Sequence, residues 1–104
     1  MHKKNLWILE DDHSQVFILK EILEEHYNLE CFSSIRELES KVKQAETCDC
    51  LLADLRLPGE SFMSFINTHP IKDFPFIVIS SIDEIEIVRR AFDAGAIDYL
   101  VKPF

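Results

Sequence analysis

Short runs typical of β-strands alternate with segments of helical periodicity, and this alternation restricts the fold more than any other feature of the sequence. The strand runs lie at residues 6–9, 28–32, 50–53, 76–79 and 98–101. The helical segments lie at residues 14–26, 35–44, 61–68 and 83–94. Alternation of this kind predicts a parallel sheet with helices on both faces. We therefore predict an α/β fold with a doubly wound, five-stranded parallel sheet.

Residues suited to helix ends support this division. Ser34 and Glu37 have the spacing of a capping box at the start of the second helix. Gly95 is suited to the position just after the fourth helix, where a left-handed backbone is common. The stripe of the fourth helix that is predicted to face the sheet consists of Ile85, Val88 and Phe92.

Composition and charge narrow the functional classes. The chain has 104 residues, 47% of them hydrophobic, which predicts one domain with its own core. No apolar run approaches the roughly 20 residues needed to cross a bilayer, and the one near the start is too short for a signal peptide. A cytoplasmic protein without a membrane partner is expected. The net charge of −8 argues against nucleic acid binding by the domain's own surface.

The three cysteines do not have the spacing of a zinc site. Cys31, Cys48 and Cys50 are an odd number and contain no C-x-x-C pair. Buried free thiols are predicted instead. Cys48 and Cys50 are expected to point to the same side of a strand.

Polar side chains follow four of the predicted strands, at the point where each strand ends. They are Glu10, Asp11 and Asp12 after the first strand, Asp54 after the third, Ser80 after the fourth and Lys102 after the fifth. The carboxyl ends of parallel strands meet at one edge of a sheet, which is where ligands bind in such folds. Grouped carboxylates there suit Mg²⁺, and a carboxylate beside the ion can attack phosphorus to form an acyl phosphate.

Four stretches carry a resemblance to a known family. Residues 7–12, 51–59, 77–81 and 94–104 match, in order and with suitable spacing, the receiver domain of two-component response regulators. The resemblance covers essentially the whole chain. It implies a flavodoxin-like sheet with strand order 2-1-3-4-5.

The resemblance also implies a role for each strand-end residue. Asp54 resembles the phosphoacceptor, and Lys102 the lysine that contacts the phosphoryl group. Ser80 and Tyr99 occupy the positions of the hydroxyl switch and the aromatic switch. The implied Mg²⁺ ligands are Glu10, Asp11, Asp54 and the backbone carbonyl of Arg56, with Asp12 a secondary candidate. The Lys102–Pro103 bond resembles the family's cis peptide.

Simpler interpretations of the same residues stay open in the sequence. The acids at 10–12 suit a helix N-terminus, with Asp12 or Ser14 as the N-cap. Ser80 could cap the following helix, although Ser81 and Asp83 are better placed. Lys102 could be an ordinary charge at a strand end, and Tyr99 a core aromatic with its hydroxyl at the surface.

The function implied by the resemblance is phosphorylation-controlled signalling. A sensor histidine kinase would donate its phosphoryl group to Asp54 with Mg²⁺ as cofactor. The phosphoryl group would then shift a partner-binding face around the fourth helix and fifth strand. The domain would be a phosphoacceptor that dephosphorylates itself, rather than an enzyme that turns over a substrate. A homodimer is a further expected assembly.

The chain departs from the family pattern in four places. The usual fifth helix is absent, so residues 1–104 are expected to form a receiver domain without its C-terminal helix and without an output domain. Apolar residues of the first and fifth strands would then be exposed, which indicates association, a missing segment or marginal stability. Truncation of a longer regulator, with an output domain to follow, is the favoured explanation. A swapped or helix-sharing dimer is expected if 104 residues are the whole natural chain. The loop after Gly59 lacks the family's Asp-Gly pair, the third helix is short, and Ser80 stands where threonine is commoner.

Three alternative functions compete with this one. A degenerate receiver would act only as a phosphorylation-independent interaction module, but the chemical residues are all present. A phosphatase with an aspartate nucleophile needs a second acid at position 56, where this chain has Arg56. A flavin-binding protein needs a phosphate-binding loop after the first strand, where the acids at 10–12 would repel a phosphate.

Overall fold

A computed structural model describes residues 3–103 of the chain. The strands are β1 (Lys4–Leu9), β2 (Tyr27–Phe32), β3 (Cys50–Asp54), β4 (Arg56–Leu57), β5 (Glu60–Ser61), β6 (Phe76–Ser80) and β7 (Asp98–Val101). The helices are α1 (His13–Leu23), α2 (Ile35–Lys43), α3 (Phe62–Thr68) and α4 (Ile85–Asp93). Phe104, the last residue of one matching stretch, lies outside the described residues.

Five strands form one parallel sheet in the order β2-β1-β3-β6-β7. This is the predicted order 2-1-3-4-5, because β4 and β5 belong to a separate antiparallel pair. The α/β, doubly wound, flavodoxin-like fold is therefore confirmed. The order puts β3 at the centre of the sheet, between β1 and β6.

Alternate residues of the strands supply two hydrophobic cores, one on each face. Trp7 and Leu9 of β1 pack with Leu38 of α2 and with α3 and α4. Leu6 and Ile8 pack with Leu19 of α1 on the opposite face. Central strands buried on both faces are apolar at almost every position, which is why the runs were readable in the sequence.

The hairpin after Asp54 was not predicted. Arg56–Leu57 pairs with Glu60–Ser61 across a Pro58-Gly59 turn, and Gly59 has a positive φ of 70°. Proline followed by glycine suits the two central positions of a type II turn. Two-residue strands are too short to leave an alternating pattern, so only the turn was visible in the sequence.

The helix ends largely follow the predicted signals. The Asp12 side chain caps α1, and the Ser34 side chain caps α2 by accepting a bond from the Glu37 amide. The Glu37 carboxylate reaches back one residue further than a standard box, to the Ser33 amide at 2.9 Å. Helix α1 ends at Leu23, three residues earlier than predicted, because the chain turns there into β2.

The inward stripe predicted for α4 is wrong. Ile85 is 82% exposed and Phe92 is 44% exposed. The helix instead packs through Ala91, which is fully buried, and through Ile87 and Ala94. Its N-cap is Glu84, without a side-chain cap bond, instead of the predicted Ser81 or Asp83. A helix that begins at Ile85 turns its small alanines toward the sheet, which leaves two large apolar residues outside.

The cysteines lie on different faces. Cys48 packs with the core that contains Trp7, whereas Cys50 packs with the core that contains Leu6. The prediction that they share a side of a strand is therefore wrong, because Cys48 precedes β3 and does not follow its alternation. All three cysteines are free thiols, and burial raises the pKa of each.

The predicted exposure of apolar residues is confirmed for the last strand of the sheet, β7, and is wrong for β1. Leu100 of β7 is exposed and lines an apolar groove beside α1. Leu6 and Ile8 of β1 are buried, because α1 covers the middle of that face. Within residues 3–103, no helix is long and apolar enough to cross a membrane.

Candidate functional site

The predicted strand-end residues converge at the carboxyl edge of the sheet. Asp54 ends the central strand β3, and Glu10 lies one residue beyond the end of β1. The Glu10 amide donates to the Phe32 carbonyl at 2.9 Å, which extends the pairing of β1 with β2. The Lys102 amide likewise donates to the Ser80 carbonyl at 2.8 Å, beyond the end of β7. Main-chain bonds therefore hold these residues in position.

Lys102 joins the two carboxylates. Its ammonium group donates to Glu10 Oε1 at 2.5 Å and to Asp54 Oδ2 at 3.0 Å. All three side chains are largely buried, that of Glu10 completely. Burial would lower the pKa of Lys102, but the hydrogen bonds to both carboxylates outweigh it and raise that pKa. The site thus pairs two buried acids with one buried, charged amine.

Glu10 is left incompletely satisfied. Among the described residues, its second oxygen, Oε2, is buried and has no hydrogen-bond partner. Burial and the neighbouring Asp54 carboxylate raise the pKa of Glu10 to about 7, against the opposing effect of Lys102. A buried carboxylate oxygen without a partner is costly. Such an oxygen is a ready ligand for a cation.

Three acids could provide the oxygen ligands. Glu10, Asp11 and Asp54 each offer a carboxylate oxygen, and these atoms lie within 4.8 Å of one another. Hard oxygen donors grouped in this way suit Mg²⁺, which needs few protein ligands and keeps several waters. The residues present therefore fit the ion that the resemblance implies.

Asp12 and Arg56 have other contacts. Asp12 Oδ1 accepts from the Ser14 amide at 2.8 Å and from the Gln15 amide at 3.3 Å, so its side chain caps α1. The Arg56 amide donates to Asp54 Oδ1 at 3.3 Å, and its side chain is exposed. A metal role for the Arg56 carbonyl stays a prediction.

Ser80 and Tyr99, the two predicted switch residues, are joined through Ile82, which no sequence pattern marks. The Ile82 amide donates to Ser80 Oγ at 3.1 Å, and the Ile82 carbonyl accepts from the Tyr99 hydroxyl at 2.5 Å. Tyr99 is half-buried against the larger core. Because Ser80 accepts the bond from Ile82, its own proton remains available for a further acceptor.

The arrangement can stabilise a transferred anion. At this edge of the sheet, the Asp54 carboxylate lies with a cation, a hydroxyl donor and one buried carboxylate oxygen that has no partner among the described residues. Preorganised charges in a partly dry site act more strongly than they do in water. The chemistry that suits these residues is the transfer of a group in which negatively charged oxygens surround an electrophilic atom.

Comparisons with known proteins agree with this geometry. Residues 6–104 match the family described as the response regulator receiver domain. The chain is 35% identical to the transcriptional regulatory protein KdpE of Staphylococcus aureus, over 98% of this chain and 45% of that protein. The chain thus spans less than half the length of the curated relatives it matches.

Solved structures show the same fold. The non-phosphorylated receiver domain of HemR from Leptospira biflexa is 30% identical, with a TM-score of 0.85 over 98% of this chain and 84% of that chain. The beryllofluoride-activated receiver domain dimer of NtrC4 is 28% identical, with a TM-score of 0.83 over 96% of this chain and 84% of that chain.

Proposed function

The chain belongs to the response regulator receiver domain family, and on this premise we propose that it accepts a phosphoryl group on Asp54 from a sensor histidine kinase. Receiver domains of this family act in two-component signalling with kinases. The observation that carries the proposal is the contact of Lys102 with both Glu10 and Asp54 at the carboxyl edge of the sheet. That contact gathers an acceptor, a cation and a metal-ligand oxygen in one pocket.

The transfer itself is a displacement at phosphorus. A carboxylate oxygen of Asp54 attacks the phosphorus of the donor's phosphohistidine. The new P–O bond forms as the P–N bond breaks, and the bonding pair stays with the ring nitrogen. The ring leaves as neutral imidazole when its other nitrogen carries a proton. Positioning and charge stabilisation account for most of the catalysis in such transfers.

Glu10, Asp11 and Asp54 would hold the Mg²⁺, and the Arg56 carbonyl is proposed as a fourth protein ligand. When bound, the ion neutralises charge on the oxygens of the transferred group. Binding would also satisfy Glu10 Oε2, the one buried side-chain oxygen without a hydrogen-bond partner within the described residues. The same burial that makes an unpartnered carboxylate oxygen costly therefore favours its use as a ligand.

Lys102 and Ser80 would contact the phosphoryl group after transfer. The ammonium group of Lys102 already touches Asp54, so a short movement would bring it to a phosphoryl oxygen. Ser80 has a proton to donate, since its oxygen is engaged as an acceptor by the Ile82 amide. The phosphoryl group carries a charge of about −1.5 to −2 in place of the single negative charge of the Asp54 carboxylate, and these two groups would respond to it directly.

The response would reach Tyr99 through Ile82. Movement of Ser80 toward the phosphoryl group would shift the Ile82 peptide, whose carbonyl holds the Tyr99 hydroxyl. Tyr99 would then change the face formed by α4 and β7. The phosphoryl group can bias this equilibrium only through contacts that differ between the two states.

Intact mass after incubation with acetyl phosphate tests the proposal. We expect one hydroxylamine-labile phosphoryl group per chain with Mg²⁺ and none with a chelator. Asp54→Asn should abolish the adduct, whereas Asp93→Asn, an exposed acid at the end of α4, should retain it. An Asp54→Asn protein that still gains one phosphoryl group would show that Asp54 is not the acceptor.

A second pair of variants tests the metal ligands. Asp11→Asn should slow phosphoryl uptake strongly, because it removes a carboxylate of the three-acid cluster. Asp12→Asn should leave uptake nearly unchanged, since asparagine also caps helices well. Equal loss in both variants would contradict the assignment.

The proposal extends to the setting of the domain. We infer a cytoplasmic location, release of the phosphoryl group by hydrolysis at the same site, and no turnover of a separate substrate. A homodimer is proposed by analogy with the NtrC4 receiver dimer. The alternative, a phosphorylation-independent interaction module, is not favoured, because Asp54, Lys102 and Ser80 are all present and gathered.

A further inference from the structure

A groove of about 320 Å³ lies between α3 and α4, and the proposed function gives the groove itself no role, although two of its lining residues adjoin the acidic site. We call it the α3–α4 groove. The residues that define it are Arg56, Met63, Ser64, Ile82, Ile87 and Arg90. Its apolar part is half-buried, from Met63 and Ile87, and its rim is polar. A half-buried apolar part beside a polar rim suits a peptide segment that carries both kinds of side chain.

The rim of the α3–α4 groove is positively charged in an acidic protein. Arg56 and Arg90 are both exposed, and within residues 3–103 neither lies within 4.0 Å of a carboxylate oxygen. Arg89, the neighbour of Arg90, is instead bonded to Glu86 on the same helix. Two uncompensated guanidinium groups at one groove therefore oppose the overall charge of −8.

From these observations we propose that the α3–α4 groove binds an acidic peptide segment of a partner protein. Carboxylates of the segment pair with Arg56 and Arg90, because guanidinium groups bind carboxylates through parallel hydrogen bonds. An apolar side chain of the segment packs on Met63 and Ile87. Charge sets the orientation, and apolar contact excludes water from the middle of the groove.

The net charge favours a peptide over a nucleic acid. A phosphate polymer extends beyond the groove and meets the acids that dominate the rest of the surface. A short peptide meets mainly the local charges, since interactions between exposed charges are screened within about 8 Å at physiological salt. The same reasoning disfavours an anionic membrane, which is flat and cannot enter a concave groove.

The position of the groove links it to the acidic site. Arg56 lies two residues after Asp54 and its amide contacts the Asp54 carboxylate. Ile82, which lines the groove, is the residue bonded to both Ser80 and Tyr99. Any movement of the Ile82 peptide changes the wall of the groove. The dependence of peptide binding on phosphorylation rests on the proposed function, whereas binding itself does not.

Fluorescence anisotropy with the intact chain tests the inference. The probe is a short fluorescein-labelled peptide of glutamate, leucine, glycine and serine, and the control peptide has lysine in place of glutamate. We expect the acidic probe to bind, and Arg90→Gln to weaken it about tenfold, the loss of one charge-assisted hydrogen bond. Arg89→Gln makes the same change of charge one residue away and should weaken it less than about twofold.

Several outcomes would overturn the inference. They are no binding of the acidic probe by the wild-type chain, equal losses in Arg89→Gln and Arg90→Gln, and stronger binding of the lysine peptide. Displacement of the probe by a single-stranded oligonucleotide at lower concentration would assign the groove to nucleic acid instead.

A second arm separates this inference from the proposed function. The titration is repeated after incubation with acetyl phosphate and Mg²⁺, with the phosphoryl content measured by mass. A phosphorylated chain should bind the probe with an affinity changed at least about threefold. An unchanged affinity in a chain that carries the phosphoryl group would contradict the link through Ile82. Absence of the adduct would contradict the proposed function and leave the binding result standing.

Discussion

At the scale of single residues, the two carboxylate oxygens of Glu10 lie in opposite situations. One oxygen bonds Lys102, and the other is buried without a partner among the described residues. Its pKa of about 7, raised by burial and by the Asp54 carboxylate, expresses the cost of the charged form. The buried position of Glu10 therefore lowers the stability of the folded protein and leaves one oxygen placed where it could bind a cation.

The first prediction is a pH-dependent stability of the metal-free protein. The folded state holds the Glu10 proton more tightly than the unfolded chain, whose glutamate has its ordinary pKa of 4.5. The stabilisation is therefore fully present below pH 4.5 and lost as the pH rises through about 7. Urea unfolding in chelator at about pH 5 and about pH 8 measures it.

Glu10→Gln, which keeps the shape of the neutral acid, should remove this part of the pH dependence and exceed the wild type in stability at about pH 8. Glu25→Gln, an exposed glutamate after α1, is the matched control and should keep the wild-type profile. Identical profiles for both variants would contradict the role of Glu10.

The second prediction concerns the Tyr99 hydroxyl. Tyr99→Phe removes the bond to the Ile82 carbonyl while keeping the ring. We expect the free energy of unfolding to fall by about 1 kcal/mol, the typical net value of such a bond. Tyr27→Phe alters an exposed tyrosine and should change stability by less than about 0.5 kcal/mol. Denaturant titration of both variants compares them.

Much of the site at this scale was predictable from the sequence. Side chains such as Asp54 and Lys102 follow apolar strands, and parallel strands bring their carboxyl ends together. Ile82 was not predictable, because it acts through an amide and a carbonyl that every residue other than proline possesses. The capping role of Asp12 was one of two readings, which the structure decided.

At the scale of elements, α2 and α4 end in the same way with different residues. The Ala45 amide bonds the Val42 carbonyl, and the Glu46 amide bonds the Lys41 carbonyl. Gly95 and Ala96 make the equivalent pair of bonds after α4. This motif needs a positive φ, which costs glycine little and alanine more because of its Cβ. Ala45 nevertheless has φ of 59°.

The third prediction follows from that difference. Ala45→Gly should stabilise the protein by about 1 kcal/mol, because it relieves the left-handed backbone of a residue with a Cβ. Ala94→Gly, one position earlier in the equivalent motif and in right-handed conformation, should destabilise it by a similar amount. Thermal or urea unfolding measures both. Changes of the same sign would contradict the argument.

The sequence pattern predicts the limits of buried strands better than it predicts which side of a helix faces the sheet. Strands β3 and β6 are buried on both faces and lie within one residue of their predicted limits. The phase of α4 was predicted wrongly, because large apolar residues were assumed to face inward. The small Ala91 occupies the contact instead, which leaves Ile85 in solvent. Which residues of α4 face the sheet depends on how closely the helix approaches it, and a local sequence pattern does not show that distance.

At the scale of the whole molecule, acids outnumber bases, and three acids meet at one edge. The net charge of −8 favours expansion through repulsion between like charges. Salt weakens that repulsion generally. Mg²⁺ should act in addition at one place, where Glu10, Asp11 and Asp54 bring their oxygens within 4.8 Å.

The fourth prediction separates these two effects. At matched ionic strength, Mg²⁺ should stabilise the protein more than Na⁺ does. The excess is about 2 to 3 kcal/mol when Mg²⁺ is present at roughly a hundred times its dissociation constant. Asp11→Asn should remove the excess and keep the response to Na⁺. Denaturant titrations in both salts measure it, and an excess retained in Asp11→Asn would locate the ion elsewhere.

The pair formed by Glu10 and Lys102 joins residues 92 positions apart. Nearly the entire described chain lies within the loop that this contact closes. A chain still emerging from the ribosome carries its three acids early, but it lacks the amine that completes them until β7 has been made and added to the sheet. The acidic site is therefore complete only when the last strand of the described sheet has joined it, so the three acids alone do not make the site.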